Sequence, residues 1–357
     1  MILLRVPFRR LIPRTALVAA VFAGVPCVAE PLSLSVVVPE GNYRVTVKLG
    51  SANEAASTTV KAENRRLMLE NVKTAPGEFA TRSCLVNVHT PKISPERRVR
   101  LKPREIGILR WDDKLTLEFS GSQPAVCSVD IEPVDDAVTI YIAGDSTVTD
   151  QAEVPWAGWG QMLPRFFQSD RVVVSNHAES GETLSSFRGE RRMEKLLTTL
   201  RAGDFLFIQF GHNDMKQIGP DAGAFKNYTR LLKEYIATAR QHGATPVLVT
   251  PMNRLSFDAS GKISDSLGDY PEAMRRVAAE EQVALVDLNA KSRDLYQAWG
   301  PEKTRSMFVD ETHSNEGGAY EFARFIAEEI KRSDLEIARD VVDEMPQAGP
   351  PSSPADR

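Results

Sequence analysis

The sequence predicts an α/β protein built on a five-stranded parallel sheet and preceded by a small β-sandwich. Three observations predict it. Residues 32–134 hold short alternating apolar runs spaced by Gly, Pro, Asn and Asp, the pattern of antiparallel strands in a sandwich. Beyond Asp135, apolar runs of strand length alternate with amphipathic helical stretches, the pattern of parallel strands joined by crossovers. One of those runs, Thr139 to Ala143, leads into Gly144-Asp145-Ser146. That places a tight turn, an acid and a hydroxyl at the carboxyl end of a strand, where α/β proteins keep their chemistry.

At 357 residues the chain exceeds one typical domain, so two are expected. Hydrophobic residues at 42% and charged residues at 26% are ordinary for a globular protein. The formal net charge is −4, and no basic stripe with interleaved aromatics stands out, so nucleic acid is not the expected partner.

Residues 1–29 read as a secretory signal peptide. Arg5, Arg9, Arg10 and Arg14 form a basic region, residues 15–28 an apolar run short for a bilayer, and Cys27-Val28-Ala29 a small-residue cleavage site. The alternative is an uncleaved anchor. Cleavage removes four arginines and no acid, taking the net charge from −4 to −8. The reading implies a secreted or periplasmic protein without affinity for anionic membranes. Two cysteines then remain, Cys84 and Cys127. In an oxidising compartment an even pair suggests a disulfide, the alternative being two separate buried thiols. Neither case suggests a metal site.

Taken in order, strands are expected at 32–38, 43–49, 57–62, 66–69, 81–88, 98–101, 114–119 and 126–131, giving a sandwich domain over 30–134. The α/β domain, 135–345, should place strands at 138–143, 172–175, 205–210, 246–250 and 284–287. Its helices should fall near 159–168, 188–200, 222–242, 270–281, 289–299 and 315–332. The tail, 346–357, is rich in Pro, Ser and Ala and is expected to be disordered.

Three more junctions carry polar groups: Asn176 to Thr183 after the second strand, Gly211-His212-Asn213-Asp214 after the third, and Asp310-Glu311-Thr312-His313 before the last helix. In a doubly wound sheet such junctions share the carboxyl edge. A serine needs a base to become a nucleophile, imidazole suits that task near neutral pH, and a carboxylate must hold the imidazole's tautomer. Asp310 and His313 are close enough in one loop for a turn to join them. The backbone N–H groups of Ser146 and Gly181 and the amide of Asn213 are candidate donors to an oxyanion.

At these four blocks the chain resembles the SGNH (GDSL-type) hydrolase family, over about residues 138–331. The resemblance implies a three-layer flavodoxin-like α/β fold and ester hydrolysis without cofactor or metal. It implies Ser146 as nucleophile, His313 as base, Asp310 as its orienter, and Ser146, Gly181 and Asn213 as the oxyanion hole. Within the family the chain is most similar to the rhamnogalacturonan acetylesterase group. The segments behind this are Ala143 to Val148, Gly158-Trp159-Gly160-Gln161, Phe207 to Asp214 and Asp310 to Asn315. Some bacterial members look similar in carrying an N-terminal galactose-binding-like sandwich. Ser180 stands where a second glycine is common, and Glu179 is an unusual acid so near the pocket.

Other residues keep two readings. Trp156 and Trp159 are sugar platforms or core side chains. His177 touches substrate or caps a loop. Arg254 meets a uronate carboxylate or forms a surface ion pair. His212 is expected to tie loops together, and His89 and His242 to be surface residues. Asp145 and Asp214 should brace their own loops, and Asp287 is the rival to Asp310. The function expected is a carbohydrate acetylesterase acting on pectin. The alternatives are the same triad acting on acetylxylan, another acylated glycan or a lipid, and a glycan-binding protein without turnover. The oligomeric state is left open.

Overall fold

The computed structural model describes residues 18–21, 32–167 and 170–343. Eight strands form two antiparallel four-stranded sheets: β1 (Val18–Val21), β2 (Leu32–Val37), β3 (Gly41–Leu49), β4 (Ala56–Ala62), β5 (Arg66–Thr74), β6 (Ala80–Val88), β7 (Lys114–Gln123) and β8 (Val126–Val134). One sheet runs β1-β8-β3-β6, the other β2-β7-β4-β5. Period-two alternation explains the packing, since Val45, Val47, Leu115, Leu117, Phe119, Val129 and Ile131 all point between the sheets and are buried.

Apart from β1, the expected signal peptide lies outside the described residues, as does the expected disordered tail. The strand expected at 98–101 does not form. Residues 89–113 instead leave the sandwich as a long loop with two short 3₁₀ turns, and Arg100 N–H donates to the Glu190 carbonyl of the α/β half. The expected disulfide is also absent, because Cys84 and Cys127 are free. They sit on β6 and β8, which flank β3 on opposite sides, and Cys84 faces Val45 while Cys127 lies beside Leu49. Two strand spacings, about 9.5 Å, exceed what a disulfide spans.

Five parallel strands follow: β9 (Val138–Gly144), β10 (Val172–Asn176), β11 (Phe205–Gln209), β12 (Thr245–Val249) and β13 (Ala284–Val286), in the order β10-β9-β11-β12-β13. Both faces are covered, which is why the strand sequences are apolar throughout. On one face Ile140, Ile142 and Phe207 pack beneath α1 (Trp159–Met162), α6 (Leu288–Arg305) and α7 (Glu316–Arg332). On the other, Tyr141, Leu206 and Ile208 pack beneath α2 (Leu184–Gly189), α3 (Arg192–Leu197), α4 (Thr229–Gln241) and α5 (Tyr270–Glu281). The result is three layers, and the fold class is the one the sequence predicts.

The single helix expected at 188–200 is two helices. Arg191 breaks it with φ +66°, and α2 starts earlier because Thr183 caps it through Ser186 N–H. No helix among the described residues is long and apolar enough to cross a membrane. The strand order reverses about β9, whose neighbours β10 and β11 both follow it in sequence, so a crevice opens at its carboxyl end.

Candidate active site

β9 ends at Gly144, and the chain turns through Asp145 and Ser146. Asp145 accepts from Thr147 N–H (2.9 Å) and Thr147 Oγ1 (2.8 Å), which fixes the turn. Burial pushes the Asp145 carboxyl up, but buried His212 at 3.5 Å and these donors outweigh it and hold it below the ordinary range. Asp145 therefore braces the turn.

The second arm is the loop before α7. Phe308 and Ser314 bridge, Val309 N–H donates to the His313 carbonyl (2.8 Å), and Asn315 caps α7 by accepting from Gly318 N–H (3.0 Å). A Cβ on Gly318 would meet the Met307 carbonyl at 2.2 Å, so only glycine lets the loop fold this tightly onto the helix. Trp156 bridges Asn315, and Ala157 N–H donates to the Ser314 carbonyl (3.0 Å), joining this loop to the segment after the serine turn.

These contacts bring Ser146, His313 and Asp310 into one chain. His313 Nε2 lies 2.9 Å from Ser146 Oγ, and His313 Nδ1 lies 2.8 Å from Asp310 Oδ2. Asp310 Oδ1 also accepts from Thr312 N–H (2.7 Å) and His313 N–H (2.8 Å). Partial burial raises the Asp310 carboxyl, but the His313 and Thr312 N–H groups and the ring outweigh it and hold it below its ordinary value. An ionised Asp310 favours the proton on Nδ1, which leaves Nε2 free to accept from the hydroxyl.

The oxyanion candidates gather at the same edge. Neither the Ser146 nor the Gly181 N–H finds a hydrogen-bond acceptor among the described residues. Gly181 has φ +80°, a conformation that favours glycine. Asn213 Nδ2 donates one hydrogen to the Glu182 carbonyl (3.1 Å) and has a second to offer. Asp214 holds the Asn213 loop by accepting from Gly211 N–H (3.1 Å) and Leu184 N–H (3.0 Å).

Beside this group lies a cavity of about 440 Å³, lined among others by Trp156, Glu179, Ser180, Asp310 and His313. Of the proposed substrate contacts, only Trp156 lines it. His177 does not: it is buried, stacked on His89 with centroids 4.3 Å apart, and bonded through Nε2 to Ser175 Oγ (3.0 Å). His89 is accordingly core rather than surface, because the rings of Trp111 and His177 pack against it. Arg254 also misses the cavity; its guanidinium donates to the His212 carbonyl (3.0 Å). Trp159 is fully buried and donates to Gln209 (2.7 Å), so it is a core side chain. Asp287 caps α6 and pairs with Arg275 (2.8 Å).

Residues that sequence reasoning missed come from the 89–113 loop. Arg104, Glu105 and Ile108 also line the cavity. Glu105 is buried and takes hydrogen bonds from Arg110 (3.0 Å), Trp111 (2.9 Å) and Arg192. Its desolvation is outweighed chiefly by Arg192, leaving its carboxyl down at about 2. The available signal was the length of the stretch 89–113, broken by Pro91, Pro95, Pro103 and Gly107 and alternating only over 98–101, since a long loop in a compact domain is often functional.

The family described as GDSL-like Lipase/Acylhydrolase matches residues 142–319. Rhamnogalacturonan acetylesterase RhgT of Bacillus subtilis is 40% identical over 217 residues, covering 56% of this chain and 92% of that protein. The probable rhamnogalacturonan acetylesterase YesY of the same organism is 36% identical over 214 residues, covering 57% and 98%. The crystal structure of the Bacillus subtilis protein YxiM superposes with a TM-score of 0.54 at 25% identity, covering 90% of this chain and 89% of that one.

Proposed function

The chain belongs to the GDSL-like lipase/acylhydrolase family, and from that premise we propose that it is a serine esterase removing acetyl groups from plant cell-wall polysaccharide, rhamnogalacturonan foremost. The observation that carries the reading is the hydrogen-bonded chain Ser146–His313–Asp310 beside an open cavity. The choice of polysaccharide draws on the similarity to RhgT and YesY. In this reading residues 1–29 are an export signal whose removal takes the edge strand β1 off β8 and leaves a three-stranded β8-β3-β6 sheet, and residues 30–134 and 135–345 are two domains of a secreted or periplasmic enzyme.

Ser146 Oγ attacks the acetyl carbonyl as His313 Nε2 takes its proton. The imidazolium is stabilised by Asp310 and the oxyanion by the N–H groups of Ser146 and Gly181 and the Asn213 amide. Collapse breaks the ester bond, the His313 imidazolium gives its proton to the departing sugar oxygen so that it leaves as a hydroxyl, and an acetyl-enzyme remains. Water, deprotonated by His313, then releases acetate and restores Ser146.

Acetate release from acetylated rhamnogalacturonan, acetylxylan and long-chain esters tests both halves. The expected result is preference for rhamnogalacturonan and loss of turnover in Ser146→Ala. Turnover that survives Ser146→Ala overturns the mechanism, and preference for xylan or lipid overturns the substrate.

A further inference from the structure

Resting on the esterase reading above, we propose that Lys102 and Arg104, from the sandwich-side loop, are positioning residues that aim the Gly181 N–H at the oxyanion. The argument starts from one peptide group. The Ser180 carbonyl and the Gly181 N–H belong to the same planar trans unit and point in opposite directions. Whatever holds the carbonyl therefore sets the direction of the N–H. Two cations hold it: Lys102 Nζ donates to the Ser180 oxygen at 2.8 Å, and Arg104 Nη2 donates to the same oxygen.

The rest of the loop is fixed from the same side. Arg104 Nε donates to Glu179 Oε1 at 2.8 Å, and Lys102 pairs with the buried Glu182 carboxylate. Arg110 donates to the Ala178 carbonyl at 2.7 Å and to Glu179 Oε2 at 2.5 Å. The α/β half adds two ties, from Asn213 to the Glu182 carbonyl and from Gln151 Nε2 to the Ser146 carbonyl (2.8 Å) and Ser180 Oγ (3.4 Å). Gly181 thus lies in a short loop that is bonded to Asn213, linked through Gln151 to Ser146, and clamped by basic side chains from outside the α/β half. Positive charge on the carbonyl also polarises the peptide and makes its N–H a stronger donor. A side chain at Gly181 would be strained at φ +80° and would approach both Lys102 Nζ (3.8 Å) and Arg104 Nη2 (3.9 Å).

The test uses the full chain with Lys102→Met, Arg104→Met, the double variant and Arg104→Lys. Nitrophenyl acetate is the substrate, being small, neutral and devoid of sugar groups for Arg104 to grip. A mis-aimed donor acts on the transition state. So kcat should fall about tenfold or more in the methionine variants while KM stays within about twofold, and Arg104→Lys should recover most of the loss. Inactivation by a neutral phosphonate should slow in parallel, since it passes through a similar charged oxygen. Unchanged kcat in folded variants, checked by Tm, overturns the proposal. So does a defect confined to KM for polysaccharide, which makes Arg104 a substrate contact. Arg104 is more than half exposed, so Arg104→Met decides the matter if the double variant does not fold. A wild-type chain without Ser146-dependent turnover removes the esterase reading and this inference together; wild-type turnover with unaffected variants removes this inference alone.

Discussion

His313 Nε2 lies 2.9 Å from Ser146 Oγ although 167 positions separate the two residues. The contact exists because β9 delivers the serine to one rim of the sheet and the capped start of α7 delivers the imidazole to the same rim. The carboxylate behind His313 is Asp310, at 2.8 Å, while Asp287 is occupied by Thr250, Arg275 and the first turn of α6. Asp310→Asn should therefore lower kcat by about 10²- to 10⁴-fold, because the amide favours the wrong imidazole tautomer. Asp287→Ala should leave kcat within about twofold and cost about 1–2 kcal/mol of stability through the lost cap and ion pair. Steady-state kinetics and urea titration of both variants check this; the reverse pattern would assign the orienting role to Asp287.

What could be read in the sequence was whatever is local. Gly144-Asp145-Ser146 and Asp310 to His313 are turns at element ends, and the chemistry needs their residues at short spacing. The sheet strands were legible because burial on both faces makes them continuously apolar. What could not be read depends on packing between distant parts. Residues 98–101 look like a strand but follow a loop whose partners, Glu179, Glu182 and Arg192, belong to the other half of the chain. His89 and His177 gave no sign of stacking on each other, because their burial is created where the sandwich meets the parallel sheet. The cysteine pair failed for a related reason: parity suggests a bridge, while strand order forbids it.

Glu105 is the buried anchor of the loop that carries Lys102 and Arg104. Its carboxylate sits between the guanidinium groups of Arg110 and Arg192, both fully buried. Removing its charge leaves Arg110 to Glu179 and Arg192 to Glu182 and Glu190, so two buried guanidinium groups lose their shared counter-charge, at a cost of about 3 kcal/mol. Glu105→Gln should show that loss in chemical denaturation at neutral pH. A change below about 1 kcal/mol would mean that water enters and solvates the two arginines.

Trp156 lines the cavity, and its side chain is not fully buried. Its structural ties run through the backbone, by the bridge to Asn315 and a hydrogen bond from Arg65 to its carbonyl (3.2 Å). Trp156→Ala keeps those ties and removes an aromatic face worth about 1 kcal/mol to a sugar ring. KM for an acetylated oligosaccharide should rise about five- to tenfold, while kcat/KM for nitrophenyl acetate stays within about twofold. Equal losses on both substrates would mean that the indole shapes the reacting group's surroundings instead.

His177 and His89 give the molecule an acid-sensitive seam. Burial, and then nearby Lys195, Arg66, Arg110 and Arg192, push the His177 pKa well below its usual value. Burial and then His177, with Arg66, Arg110 and Lys195, do the same to His89. The native state keeps both rings neutral, whereas the unfolded chain takes up their protons below about pH 6.5. Each ring therefore draws stability from the fold as pH drops through that value, by about 1.4 kcal/mol per pH unit well below it. Two buried carboxyls act in the opposite sense: Glu63, raised to about 8 mainly by burial, and Asp214, raised to about 7 for the same reason, hold protons in the native state and favour it as pH falls. The histidine contribution is isolated by comparison with His177→Asn, which leaves those carboxyls in place. The stability gap between wild type and variant should narrow by about 1.2 kcal/mol between pH 6 and pH 5, measured by urea titration at each pH. A gap that stays constant over that interval would mean His177 is protonated in the native state or reached by water.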